Sequence, residues 1–321
     1  MSDQVTTPDE ITGAVVRSFD GCPDERLRQI LQTLVRYLHA FAVDVKLTEA
    51  EWLAAIGFLT RTGQICTPTR QEFILLSDTL GVSMLVDVIN HGKMAGATES
   101  TVLGPFYVPD SPWRANGDAI MDPSSGQPTL VHGQVTGIDG APVPGAVLDV
   151  WQNAANMLYA AQDPGQPPDN GRGRFRADER GRFWFRTIRP VDYPISHDGP
   201  VGQMLAATRR HPWRPAHIHI IATAEGFEPV TTHIFDADSP YLDSDAVFGV
   251  KPSLVRRFEP HDAATEQPPP GIAGNWYTVD CTITLQPAGT PVPAGTRAER
   301  GGNAARPGGN AAGRGGKEAG T

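Results

Sequence analysis

Two periodicities divide the chain. From residue 25 to about residue 91, apolar residues recur at intervals of three and four. Leu27, Ile30, Leu31, Leu34, Leu38 and Phe41 predict one amphipathic helix, with Arg26, Arg28, Arg36 and Lys46 outside its stripe. Thr48-Glu49-Ala50-Glu51 is a capping box and predicts a second helix that buries Trp52, Ile56 and Leu59. Thr69-Arg70-Gln71-Glu72 repeats the signal and opens a third through Phe73, Ile74, Leu76, Leu80, Met84 and Val88, with Gly81 its weak point. None of these helices carries a ligand constellation, so the plain expectation is a core-forming and dimer-forming helical layer.

After His91 the pattern changes to short runs of β-formers between Gly, Pro and Asp. Gly104-Pro105, Pro109-Asp110-Ser111-Pro112 and Asn116-Gly117-Asp118 punctuate a loop region. Strands are predicted at 129–135, 146–152, 182–187, 217–223, 230–235 and 277–285. Phe183 and Phe185 alternate with Trp184 and Arg186, so one face of their strand is aromatic. The predicted fold class is α+β: an N-terminal helical dimerisation domain over residues 1–100, then an antiparallel β-sandwich over 101–286. Residues 287–321 contain no large apolar residue after Val292 and are expected to be a disordered tail.

Composition narrows the functional classes. A chain of 321 residues buries a full core, and its net charge of −9 argues against nucleic acid as the main partner. The basic residues of the tail (Arg297, Arg300, Arg306, Arg314 and Lys317) are the one feature that points the other way. No apolar run approaches the roughly 20 residues of a membrane span, and the polar start lacks a signal peptide's pattern, so a cytoplasmic protein is expected. Cys22, Cys66 and Cys281 are far apart without CxxC spacing, which predicts reduced thiols and no structural zinc.

The chemistry centres on Arg214-Pro215-Ala216-His217-Ile218-His219-Ile220. On a strand, His217 and His219 share one face and Ala216, Ile218 and Ile220 the other. Such a pair is as readily a polar face as a pair of ligands. Upstream, Tyr159 and Tyr193 each sit in a loop-like segment rich in Asn or Pro. Two phenols and two imidazoles form a hard donor set without thiolate, which suits iron(III) better than zinc.

At these residues the sequence resembles the intradiol ring-cleaving dioxygenases. The resemblance runs from residues 98–107 through the Val-Leu-Asp-Val-Trp-Gln, Arg-Pro-Val-Asp-Tyr-Pro and Arg-Pro-Ala-His-Ile-His segments to Tyr241-Leu242-Asp243-Ser244-Asp245. Thr232-His233-Ile234-Phe235 and residues 246–251 look most like the branch that cleaves hydroxyquinol; catechol-specific relatives typically carry Gln where His233 stands.

That resemblance implies one iron(III) per subunit held by Tyr159, Tyr193, His217 and His219. It implies cleavage of hydroxyquinol (benzene-1,2,4-triol) by dioxygen between the hydroxylated carbons. Tyr193 would also take a substrate proton, and Arg214 would stabilise charge on the ring. Strand alternation alone argues against that role for Arg214, since three residues separate it from His217. His233 would orient substrate or hydroxide, or only bond backbone. Leu75 and Asp78, three apart on one helix face, would meet the substrate, Asp78 accepting from the third hydroxyl; the plain alternative is a solvated surface acid. Val102, Leu103, Gly104, Pro105, Phe106, Pro194, Ile195 and Val247 would line the pocket. His197 and His211 are expected to be solvated loop residues. The resemblance also implies a homodimer with a lipid in an apolar helical tunnel. The competing readings are a catechol or chlorocatechol 1,2-dioxygenase and a non-catalytic metal- or lipid-binding sandwich.

Overall fold

The computed structural model describes residues 7–67, 70–92 and 94–289. The chain forms two compact units, one of residues 1–80 with 194–213 and the other of residues 81–193 with 214–321. The expectations for Thr69 and for residues 290–321 lie outside the described residues.

The first unit is helical. It contains α1 (Pro8–Ser18), α2 (Glu25–Asp44), α3 (Glu49–Gln64), α4 (Glu72–Thr79) and later α6 (Pro200–Ala207), while α5 (Val82–Asn90) belongs to the second unit. The capping box before α3 is formed, with Thr48 Oγ1 accepting from Glu51 N and the Glu51 carboxylate accepting from Thr48 N. α4 starts after Gln71, an N-cap without a side-chain cap bond. The helix expected to run on past Leu80 stops there. Gly81 sits at φ 74° and serves as the N-cap of α5, a conformation that residues with a Cβ rarely adopt. Trp52, Ile56 and Leu59, expected to be buried, are 53%, 47% and 44% exposed, because no described residue covers that face of α3. Leu27, Ile30, Leu34, Leu38 and Phe41 of α2 are exposed too.

The second unit is a sandwich of two five-stranded sheets. One contains β1 (Pro128–Gly137), β4 (Arg182–Ile188), β10 (Glu259–His261), β11 (Trp276–Asp280) and β12 (Ile283–Leu285). The other runs β3 (Arg172–Arg176), β2 (Val147–Trp151), β7 (His217–Thr223), β8 (Val230–Asp236), β9 (Val255–Arg256). The chain leaves this unit at β5 (Tyr193–Pro194) and returns at β6 (Trp213–Arg214). Most pairings are antiparallel as expected, but β1 pairs in parallel with β11 and β12, and β8 with β9. The single strand expected at 277–285 is two, and Gly133 of β1 lies opposite the break. A Cβ there would fall on the carbonyl oxygen of Cys281.

Phe183 and Phe185 point inward as their alternation predicts, and Phe185 stacks on Phe175 of the facing sheet at 5.0 Å. Val131, Val135, Leu148, Val150, Ile218, Ile220 and Ile234 complete the core. Burying Ile218 and Ile220 stabilises the fold by about 1.5–3 kcal/mol each. Their burial also sets the phase of β7, since a slip of one residue would send the histidines into the core.

Candidate metal centre

On the outer face of β7, His217 and His219 converge. Their Nε2 atoms are 3.1 Å apart, and both residues are buried. His217 Nδ1 lies 2.6 Å from the Pro215 carbonyl oxygen. A carbonyl only accepts, so this bond places the proton on Nδ1 and makes Nε2 the acceptor atom. His219 Nδ1 has no hydrogen-bond partner.

Two phenols reach the same point from loops. Tyr159 follows β2 in a turn where Asn156 Oδ1 accepts from Leu158 N and Gln162 Oε1 accepts from Tyr159 N. Met157 takes a left-handed φ of 68° there. The turn delivers Tyr159 Oη to 3.0 Å from His219 Nε2. Tyr193 follows Asp192, whose carboxylate accepts from Ala216 N and anchors this loop to the entry of β7. Its ring meets Tyr159 edge-on at 5.4 Å.

Arg214 is buried beside them, contrary to strand alternation. Its Nη1 lies 3.4 Å from Tyr193 Oη and 3.2 Å from His217 Nε2. The alternation fails because β6 ends at Arg214 and the backbone bends through Pro215 before β7 begins at His217. Asp245 faces the guanidinium with both carboxylate oxygens, at 3.1 Å from Nε and 3.3 Å from Nη2.

His233, opposite His219 in the β7–β8 register, enters the same space. Its ring stacks on His217 at 4.6 Å and meets His219 edge-on at 4.1 Å. The Val102 backbone lies beside it, and neither ring nitrogen makes a close side-chain bond. One ring nitrogen from each of His217, His219 and His233 lies within 4.8 Å of the other two, a possible metal-binding group.

The electrostatics favour neutral imidazoles and a permanent cation. Burial, followed by the Arg214 charge, holds His217 well below the ordinary histidine range. Burial and neighbouring positive groups do the same to His219 and His233. Burial, with Tyr193 beside it, pushes Tyr159 well above the usual phenol value, and Arg214 opposes that. Burial alone would lower the Arg214 pKa, but Asp245 and the two tyrosines raise it. A buried phenol held this high gains an alternative to its proton if a cation binds at its oxygen. Two imidazole nitrogens and two phenols converging on one buried point suit a hard trivalent metal ion.

Val102 and Val247 are buried, and Phe106 stacks on Tyr159 at 4.8 Å. Gly104 sits at φ 77°, and a Cβ there would come 3.5 Å from His219 Cε1. Pro105 is partly buried between them in sequence, and Leu103 is exposed. The remaining predicted contacts lie in the helical unit: Leu75, Asp78 and Ile195 are buried and Pro194 partly so. Burial of Asp78 excludes the solvated-acid alternative. His197 is exposed, whereas His211 is partly buried and its Nδ1 accepts from Trp213 N at 3.1 Å, a correction to its expected solvation.

Two family models match the chain: a catechol dioxygenase N terminus over residues 24–98 and a dioxygenase model over residues 102–280. Hydroxyquinol 1,2-dioxygenase of Rhizobium sp. (strain MTP-10005) is 50% identical over 273 residues, 84% of this chain and 92% of that protein. 6-Chlorohydroxyquinol 1,2-dioxygenase of Cupriavidus pinatubonensis is 51% identical over 76% of this chain and 89% of its own length. The crystal structure of hydroxyquinol 1,2-dioxygenase from Pseudomonas putida DLL-E4 superimposes with a TM-score of 0.81 at 50% identity, covering 87% of this chain and 98% of that one.

Proposed function

This chain belongs to the intradiol ring-cleavage dioxygenases, and on that premise we propose that it is an iron(III) enzyme that opens hydroxyquinol with dioxygen to 3-hydroxy-cis,cis-muconate, which tautomerises to maleylacetate. The observation that carries the reading is the convergence of Tyr159, Tyr193, His217 and His219 on one buried point with Arg214 against it. Zinc has no need of two phenols, so that donor set favours iron and disfavours the non-catalytic binder.

Iron(III) held by these four residues would supply Lewis acidity, drawing electron density from a bound diol so that its ring becomes reactive toward dioxygen. The protein's own groups do the rest. A diol that binds through both oxygens must lose two protons; hydroxide from solvent takes one and Tyr193 Oη the other, with Arg214 Nη1 donating to the same oxygen. The fixed guanidinium then faces the negative charge that develops on the ring, in a site where burial strengthens its effect. His233 offers a neutral ring nitrogen to the substrate side. Val102, Leu103, Gly104, Pro105, Phe106 and Val247 form the wall beside the metal centre, and the resemblance assigns Leu75 and Asp78 to reading the ring, with Asp78 accepting from the third hydroxyl.

The exposed apolar stripes of α2 and α3 are the faces through which two copies associate, and an apolar guest such as a lipid is held among them. No helix among the described residues is long and apolar enough to cross a membrane.

Relative turnover of hydroxyquinol and catechol tests the substrate. Hydroxyquinol is expected to be cleaved faster, and Asp78→Ala to lose much more activity on it than on catechol. A protein that prefers catechol, or an Asp78→Ala variant equally impaired on both, contradicts the assignment.

A further inference from the structure

We propose that Asp245 is a positioning residue that aims Arg214 at the metal centre, and that Gly249 and Thr101 carry the same restraint into the pocket wall. The inference rests on the ring-cleavage reading of this site.

Arg214 has five N–H donors in one rigid plane, so what binds one edge decides where the other points. Asp245 takes the edge formed by Nε and Nη2, at 3.1 Å and 3.3 Å. Nη1 is thereby turned to Tyr193 Oη and His217 Nε2. The carboxylate is itself fixed, since Oδ1 accepts from Val247 N at 3.2 Å and Oδ2 from Gly249 N at 2.9 Å. One carboxylate therefore holds both the guanidinium and the turn that carries Val247. Phe248 in that turn takes a left-handed φ of 60°, which the two bonds to Asp245 stabilise.

The turn is tied onward. Gly249 O accepts from Thr101 Oγ1 at 2.6 Å, and Thr101 precedes Val102. Gly249 is also a tight fit: a Cβ there would lie 2.9 Å from Arg214 Nη2 and 3.2 Å from both Asp245 Oδ2 and Thr101 Oγ1. An added methyl group has to displace the guanidinium or the carboxylate that holds it. Lys251 continues the tether, with its Nζ 2.5 Å from Ser100 O and 3.2 Å from Asp87 Oδ2. The charge at the metal centre and the wall residues Val102 and Val247 thus share one set of restraints.

The test uses the iron-loaded full chain and the variants Asp245→Asn, Asp245→Glu, Gly249→Ala and Arg214→Ala. Iron content is expected to stay within twofold of the unaltered protein, because none of these residues is a ligand. Asp245→Asn is expected to lower kcat by about 10²–10³-fold, the scale of losing one preorganised charge contact, with KM changed far less. Asp245→Glu should recover part of that loss, and Gly249→Ala should fall in the same direction. The deciding comparison is the double variant Asp245→Asn with Arg214→Ala, expected to be no slower than Arg214→Ala alone. Losses that multiply in the double variant overturn the proposal, as does an Asp245→Asn enzyme with unaltered kcat. If Asp245→Asn does not fold, Gly249→Ala decides: an unaltered kcat there overturns it. If the unaltered protein cleaves no diol, the ring-cleavage reading fails. Positioning is then read from the tyrosinate colour, which must move in Gly249→Ala if Arg214 moves against Tyr193.

Discussion

The Nε2 atoms of His217 and His219 stand 3.1 Å apart in the buried face of β7, with Tyr159 Oη 3.0 Å from the second of them. The Nδ1 proton of His217 goes to Pro215, so its Nε2 is an acceptor turned toward another nitrogen. Tyr159 can be removed with little disturbance of packing, because Phe keeps the ring that stacks on Phe106. Tyr159→Phe is expected to fold with its melting temperature little changed and to lose at least tenfold in iron affinity, measured by metal analysis after dialysis. Full retention of iron would remove Tyr159 from the ligand set.

The three buried imidazoles make the stability of the metal-free protein depend on pH. His217, His219 and His233 all have folded pKa values held below the ordinary 6.5. Protons therefore bind the unfolded chain more readily. Their contribution is fully present above about pH 6.5 and is lost as pH falls toward the depressed folded values. Each group adds a slope of at most about 1.4 kcal/mol per pH unit in that window. Urea unfolding of the metal-free protein between pH 7.5 and 5 measures this, and a flat profile would contradict it.

Ile218 lies between the two histidines on the opposite, fully buried face of β7. Ile218→Ala leaves a cavity in the sandwich core and is expected to cost about 2–5 kcal/mol. Denaturant unfolding checks the value. A cost below about 1 kcal/mol would mean that the core does not set the phase of this strand.

Leu34 and Leu38 of α2 are 49% and 54% exposed in the single chain. If that stripe is the contact between copies, Leu34→Glu with Leu38→Glu should yield a monomer by sedimentation without unfolding the sandwich. A variant that sediments as the unaltered protein does would place the contact elsewhere.

The alternation of His217 and His219 with Ile218 and Ile220 was legible because a strand buried on two unlike faces writes both in one run of residues. Likewise, Thr48 with Glu51 announced α3 because capping is local. Arg214 was misplaced by period alone, since the alternation does not survive the Pro215 bend; only the resemblance put it in the site. Asp245 lay in a segment that carried the resemblance, but its role was not legible because its partner is 31 residues earlier. β3 went unread because Arg172, Arg174 and Arg176 leave it only one large apolar residue, Phe175. In the structure Arg172 and Arg174 donate to the carbonyl oxygens of Val108 and Ser111, and Phe175 alone enters the core. α1 and α6 also went unread: α6 opens on Pro200 and contains Gly202, both signals that usually interrupt a helix. The expected burial of Trp52, Ile56 and Leu59 failed because an apolar stripe shows that a face seeks cover and does not say from which chain the cover comes.

The central claim is a tyrosinate–iron(III) centre open to a diol, and the visible absorption spectrum of the purified, iron-loaded protein tests it most directly. The account predicts a reddish charge-transfer band that moves when hydroxyquinol is added without oxygen and disappears in Tyr159→Phe with Tyr193→Phe. A protein that takes up iron(III) and stays colourless would show that neither tyrosine is a ligand, and the proposed chemistry would fall with it.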